Sequence, residues 1–438
     1  MNMSELLTHF RTHGTPLTLS RRGELAWDDA EVHREAWEAD PEGYALLALV
    51  PGVRQWQRAR VLLRILASSQ AHLADPARAV LAKATRALLF GLAPDQAVTA
   101  LLAVRRLRAN HKHTTRAMVA FALEHPDGDA LVAARRPALV DCLEHALGKS
   151  TARACARLIA EGDVGSPYLR SRLLRFTRDP ETAMRRVRAL YGPGTPNAPV
   201  PQEPPVPIDP PREDPEVVTV TNRGDIAATL VHLYRGGPES ELRPALARYV
   251  AEATRGLPRL EAHVALVLDT SASMRGYGER EWAIMSQAEA LRLVLAEVCE
   301  RLTVIETGGR PDAPAGATDL ATGLLDALAA GPDLVAIVTD GYENTLPGDL
   351  ARVAASLPGA GVTTPVVLCQ ATFARSDDLT FRTPAPDLPR ARFWHQDDFA
   401  ELLPWLLCHC APGRAWIRRA VLDRLSGRAA AALEGGRA

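Results

Sequence analysis

The sequence predicts an α + α/β protein in which a basic run of helices is followed, across a proline-rich strap, by a doubly wound Rossmann-like domain. Three observations predict it. Apolar residues recur at helical spacing from about Gln55 to Tyr191, prolines crowd residues 193–215, and beyond them two continuously apolar runs each stop abruptly at an aspartate. At 438 residues the chain exceeds one ordinary core, and 47% apolar content excludes global disorder.

The opening residues Met1 to Glu5 carry no basic region followed by an apolar stretch, and no apolar run approaches the roughly 20 residues of a membrane helix. A cytoplasmic protein is therefore expected. The six cysteines are scattered, which fits a reducing compartment better than a disulfide framework, and Cys408-His409-Cys410 lacks the second ligand pair of a zinc site. Leu17 to Trp27 places Gly23 between two short apolar runs and reads as a small hairpin.

Helices follow. Val61, Leu62, Ile65 and Leu66, then Val80, Leu81, Ala84 and Leu88, form apolar stripes at helical spacing. Asp75-Pro76, Ser166-Pro167 and Asp179-Pro180 each place a capping side chain before a proline suited to the first helical turn. Helices recurring about every 20 residues suggest stacked pairs like HEAT-type repeats. Gly148-Lys149-Ser150 imitates the end of a phosphate-binding loop, but Leu143 stands where that loop requires a glycine. Gly148 is expected to end one helix, with Ser150 or Thr151 capping the next.

Charge is unevenly spread. Net charge is −1 overall, yet residues 51–190 carry 24 Lys and Arg against 11 Asp and Glu, whereas 191–438 carry 23 against 32. The basic residues include Arg105, Arg106, Arg108, Lys112 and Arg116, then Arg170, Arg172, Arg175 and Arg178, then Arg185, Arg186 and Arg188. Arginine grips phosphate in bidentate fashion, so a positive surface on these helices makes RNA the first candidate ligand.

The strap runs from Gly192-Pro193 through Pro196, Pro199, Pro201, Pro204, Pro205, Pro207, Pro210, Pro211 and Pro215. Such density excludes helix and sheet over about 25 residues. It divides the chain into a helical domain at 1–190, basic from 51, a linker at 191–216 and a second domain at 217–438. Within the last, Val217 to Val220 and helices near Asp225 to Tyr234 and Ser240 to Thr254 lead into a buried strand, His263 to Leu268, that ends at Asp269. A helix from about Glu281 to Arg301 and a short strand, Leu302 to Glu306, come next. Leu334 to Thr339 repeats the apolar design and ends at Asp340, and a helix around Trp416 to Leu425 closes the domain.

Two strand ends thus deliver carboxylates to the sheet edge where α/β folds bind ligands. With the hydroxyls of Ser271, Ser273 and Thr318, they make an all-oxygen set suited to a hard cation, Mg²⁺ or Mn²⁺. The run Asp269-Thr270-Ser271-Ala272-Ser273, the loop Gly316-Ala317-Thr318-Asp319 and Thr339-Asp340-Gly341 resemble the metal-ion-dependent adhesion site of von Willebrand factor A (VWA) domains. The resemblance implies that Asp269, Ser271, Ser273, Thr318 and Asp340 are the five coordinating positions, and that a partner carboxylate completes the ion's shell. One departure is visible: only one short strand fits between the first helix and Thr318, where the family usually has two strands and a helix.

A helical half followed by a VWA domain also resembles the architecture of Ro-type (TROVE) RNA-binding proteins, on domain order and basic helices alone. The expectation is a non-enzymatic binding protein that captures an acidic protein partner through Mg²⁺ and binds RNA on its helices. An accessory subunit of a MoxR-type AAA+ ATPase, with the helical half binding protein, is the alternative. A metal-dependent hydrolase is the third, and it lacks a general base: His263 lies at the wrong end of its strand, and Glu279, Glu281 and Glu343 read as helix-start or loop residues.

Overall fold

The computed structural model describes residues 2–20, 24–193, 198–211, 225–374 and 382–435. It divides into two compact units, Met1–Pro210 with Leu425–Ala438, and Pro211–Arg424.

Among its described residues the first unit has many helices and a two-stranded antiparallel hairpin, β1 (Thr18–Leu19) and β2 (Leu25–Ala26); Gly23 lies outside the described residues. The apolar stripes lie where the periodicity puts them: Val61, Leu62, Ile65 and Leu66 on the helix Gln55–Ala67, and Leu81, Ala84 and Leu88 on Asp75–Gly91, are fully buried. Helix Gln55–Ala67 packs on both Asp75–Gly91 and Pro94–Arg106, and Pro94–Arg106 on Gly128–Leu147, so contacts run to the next helix and the next but one.

Capping follows the predicted pattern at one of three places. Asp179 accepts from the Glu181 and Thr182 amides, but Ser166 makes no side-chain cap and Asp75 is already the first helical residue. Gly148 itself, at φ +86°, separates Gly128–Leu147 from Lys149–Ala160, which places Ser150 and Thr151 inside the second helix rather than at its cap.

The end of the proline-rich strap packs on this unit. Ile208 is 3% exposed, and Asp209 reaches the fully buried Arg58 at 2.6 and 2.7 Å. Arg58 also donates to the Ala48 and Val50 carbonyls, so its charge and its donors are answered together.

In the second unit β3 (Leu260–Thr270), β4 (Cys299–Gly308), β5 (Leu334–Thr339), β6 (Val366–Ala371) and β7 (Arg390–Phe393) form one parallel sheet in the order β4-β3-β5-β6-β7. Ala265, Val267, Val335 and Ile337 pack under the helices Leu320–Ala329 and Asp349–Ser356. The alternate set, Val264, Leu266, Leu334 and Ala336, is equally buried, and helix Ala283–Val298 packs against β3, β4 and β6. Burial of both faces explains why these strands read as continuous apolar runs.

The chain leaves β3 for β4 on one side and returns to β5 on the other, so the switch point of the topology lies between β3 and β5. β4 begins at Cys299, three residues before the predicted Leu302, because β3 itself extends back to Leu260 and pairs with it there. A loop with a single bridge, Arg310 to Ala313, follows β4, which is left as the sheet's edge. The predicted helices appear as Ile226–Tyr234, Glu239–Ala253 and Gly413–Gly435. Val217 to Val220 lies outside the described residues.

Candidate functional site

Asp269, next to last in β3, follows the final β3–β5 pair, Leu268 with Val338, and Asp340 follows the end of β5 at Thr339. Sheet pairing therefore brings two residues 71 positions apart to one point. The Asp269 carboxylate accepts from the Ser271 amide at 3.0 Å and from the Thr339 hydroxyl at 2.6 Å. Asp340 accepts from the Tyr342 amide at 3.1 Å and from Ser273. Thr318 donates to the Ser271 hydroxyl at 2.8 Å, and that hydroxyl lies 3.1 Å from Ser273. All five sequence-predicted ligands thus form one connected cluster, and four of them are 0 to 1% exposed.

The loops are stitched together by backbone. Gly309 and Ala315 both donate to the Thr270 carbonyl, Ala272 donates to Gly316, and Thr345 donates to Thr318. Gly308 is required here: its φ is +111°, and a Cβ would lie 2.8 Å from the Ala315 oxygen and 2.9 Å from Ser271. Thr339, which orients Asp269, escaped the sequence analysis as a functional residue; the available signal was a hydroxyl at a strand end beside a ligand position.

Neither carboxylate has an ion pair among the described residues. Burial pushes the Asp269 carboxyl up to about 6 and raises that of Asp340, in each case against hydrogen bonds that favour the charged form. Two buried carboxyls and three hydroxyls, with Arg382 near enough to favour the charged form of Asp340 but in no ion pair with it, fit a hard cation. The sequence candidates for a general base are engaged elsewhere. Glu281 pairs with Arg275 at 2.7 Å, Glu343 accepts from the Gly348 and Leu350 amides, and His263 bonds Thr303 at 2.8 Å near the start of β3. The Glu279 side chain lies outside the described residues.

A second cluster of metal-ligand types, His9, His13, His33, Asp28 and Asp29, lies in the first unit. Its cation is already present. Arg60, fully buried, reaches Asp29 at 2.8 Å and Asp28 at 2.7 Å, and although burial opposes it, hydrogen bonds from His33, Gln57 and His9 hold the Asp29 carboxyl well below the usual range. Cys408 and Cys410 are buried and donate to the Trp405 and Leu407 carbonyls one turn back, as structural thiols do.

The basic residues separate into two groups. Arg105 pairs with Asp141, Arg185 with Asp129, Arg186 is buried against the Leu123 carbonyl and Arg188 bonds Ile159, so these serve the fold. Lys112, Arg116, Arg172 and Arg175 instead converge on a cleft of about 530 Å³, with no carboxylate partner among the described residues. Arg175 covers the Phe176 ring at 4.5 Å and Arg172 lies 5.8 Å from Tyr168. Arg106, Arg108 and Arg170 are exposed outside the cleft lining.

No helix among the described residues is long and apolar enough to cross a membrane. No family model and no curated protein matches the chain. Among solved structures, the chain is similar to the crystal structure of the Ro (RSR) protein of Deinococcus radiodurans, with 13% identity over 92% of this chain and 99% of that one and a TM-score of 0.38. A likeness at that level transfers neither residues nor activity.

Proposed function

We propose that this is a non-enzymatic binding protein whose second unit holds Mg²⁺ or Mn²⁺ among Asp269, Ser271, Ser273, Thr318 and Asp340 and captures a carboxylate from a protein partner. The observation that carries the reading is the meeting of these five oxygen-bearing side chains, with no ion pair to either carboxylate among the described residues, at the switch point of a parallel sheet. When bound, the ion supplies an electrophilic attachment point. The chain's own residues hold it: the hydroxyls are placed by the Thr318–Ser271–Ser273 chain, and the carboxylates by Thr339 and the strand-end amides. The two carboxylates only balance the charge of a divalent ion and the three hydroxyls are neutral, so the bound ion keeps an open, electrophilic face that a partner's carboxylate fills.

Thermal unfolding with and without Mg²⁺ tests this. An ion present at 100 times its Kd stabilises the folded state by about 2.7 kcal/mol, and Asp269→Ala should abolish the gain. An equal Mg²⁺-dependent rise in the variant removes the metal reading.

A second reading concerns the first unit, which we propose binds RNA phosphates. It is favoured by the four cations of the cleft, left without carboxylates in a unit where other arginines are paired. Charge reversal at Arg170, Arg172 and Arg175 should weaken binding for all sequences alike and flatten its salt dependence, by about 0.7 in log–log slope for each lost single-strand contact. No RNA binding at low salt favours the ATPase-accessory reading, in which the helical unit binds protein.

A further inference from the structure

The cleft formed by Lys112, Arg116, Arg172 and Arg175 carries more specific information than a basic surface. Resting on the RNA reading above, we infer that it is a site for the terminal phosphate monoester of a single-stranded RNA, with the adjoining base stacked against Phe176 and Arg175.

Charge comes first. Four like charges gathered in one cleft repel one another, and no carboxylate lines the cleft or pairs with any of them among the described residues. Elsewhere in the unit Arg105, Arg135, Arg153 and Arg185 each have a carboxylate within 3.4 Å. An internal phosphodiester brings a single negative charge, whereas a terminal monoester brings about −2 at neutral pH and a third oxygen for the arginine forks.

Polar lining and backbone add to this. Helices Lys112–Glu124 and Lys149–Ala160 both begin beside the cleft, neither with a side-chain cap, so amides of two first turns lack intrahelical acceptors. Thr115 and Thr151 bring hydroxyls to the lining, together with Asn110. Lys149 and Ser150, which imitate a phosphate loop in the sequence, open the second of these helices. The segment is not a phosphate loop, but the amides of that helix start serve as anion donors.

Size and shape select the occupant. A cleft of about 530 Å³ is of small-ligand scale, within the range of roughly 300–1,000 Å³ for such pockets, rather than a groove tracking a strand. Phe176 is half-buried with the Arg175 guanidinium 4.5 Å from its ring centroid, a platform that a nucleobase uses and a bare phosphate does not.

The test uses the full chain and fluorescein-labelled uridine decamers bearing a 5′-phosphate, a 3′-phosphate or neither, with anisotropy at low salt. One phosphorylated form should bind at least tenfold tighter than the unphosphorylated decamer, and pyrophosphate should compete. The double variant Arg116→Ala/Arg172→Ala, both positions exposed, should bind all three decamers equally with an unchanged melting temperature. Phe176→Leu should weaken the preferred decamer severalfold while leaving pyrophosphate competition intact. Equal affinity of the three decamers for the native protein, or a preference that survives the double variant, overturns the terminal-phosphate site while leaving the RNA reading standing. Failure of every decamer to bind defeats both.

Discussion

Raising the pH from 6 to 10 should remove up to about 3 kcal/mol of stability from the second unit through His395 alone. This side chain is 5% exposed, between Asp225 at 3.6 Å and Asp397 at 3.4 Å. Burial alone would lower its pKa, but the two carboxylates overcome it and raise the ring to about 9. A folded-state pKa above the unfolded value of about 6.5 means stability fully present below pH 6.5 and lost as pH rises through 9. At about 1.4 kcal/mol per tenfold change in proton affinity, the interval sets a ceiling of about 3 kcal/mol. The structure shows what that energy holds. Asp225 caps the helix Ile226–Tyr234, whose first amide donates to Gln396, so the imidazolium ties a helix start to the end of β7. The neutral ring keeps a weaker bond, because Nδ1 then accepts from the Asp397 amide at 3.2 Å. Urea unfolding of native protein and His395→Gln at pH 6, 8 and 10 is the assay. The gap between them should approach the ceiling at pH 6 and shrink by pH 10. Parallel stability curves for the two proteins across that range would refute the reasoning.

Three further outcomes are expected. Gly308→Ala should cost about 1–3 kcal/mol, since φ +111° is strained for alanine and its Cβ would strike the Ser271 backbone; the Mg²⁺-dependent rise in melting temperature should fall with it. Asp209→Ala leaves Arg58 buried on carbonyls alone and should cost about 1–3 kcal/mol by calorimetry, below the about 3–5 kcal/mol of a fully buried pair because Asp209 is 42% exposed. Arg60→Met should cost about 3–5 kcal/mol by leaving Asp29 without its cation, and adding Asp29→Asn should recover much of it in urea unfolding.

Much of the candidate metal site was legible because its chemistry is local in sequence. A strand that ends at a carboxylate announces itself by the break between apolar run and aspartate, and five ligand positions fall in three short segments. Strand Leu334–Thr339 appears at its predicted bounds because a strand buried on both faces leaves no choice of residue type. What draws Thr339 to Asp269, or places Gly308 against Ser271, is tertiary and has no periodicity to reveal it.

The arginines show the opposite case. Sequence by itself determined that residues 51–190 are basic and helical, and it could not separate structural guanidinium groups from free ones, because an arginine reads the same whether a carboxylate faces it or not. Folding made that decision: Arg105 found Asp141 and Arg185 found Asp129, while Lys112, Arg116, Arg172 and Arg175 were brought from two helices and a turn to one cleft. Likewise the prolines declared an extended strap, yet only the packed structure put Asp209 on Arg58. Local pattern determines an element because backbone geometry repeats every few residues; which charges meet depends on contacts across tens to hundreds of residues, and those are decided only when the core closes.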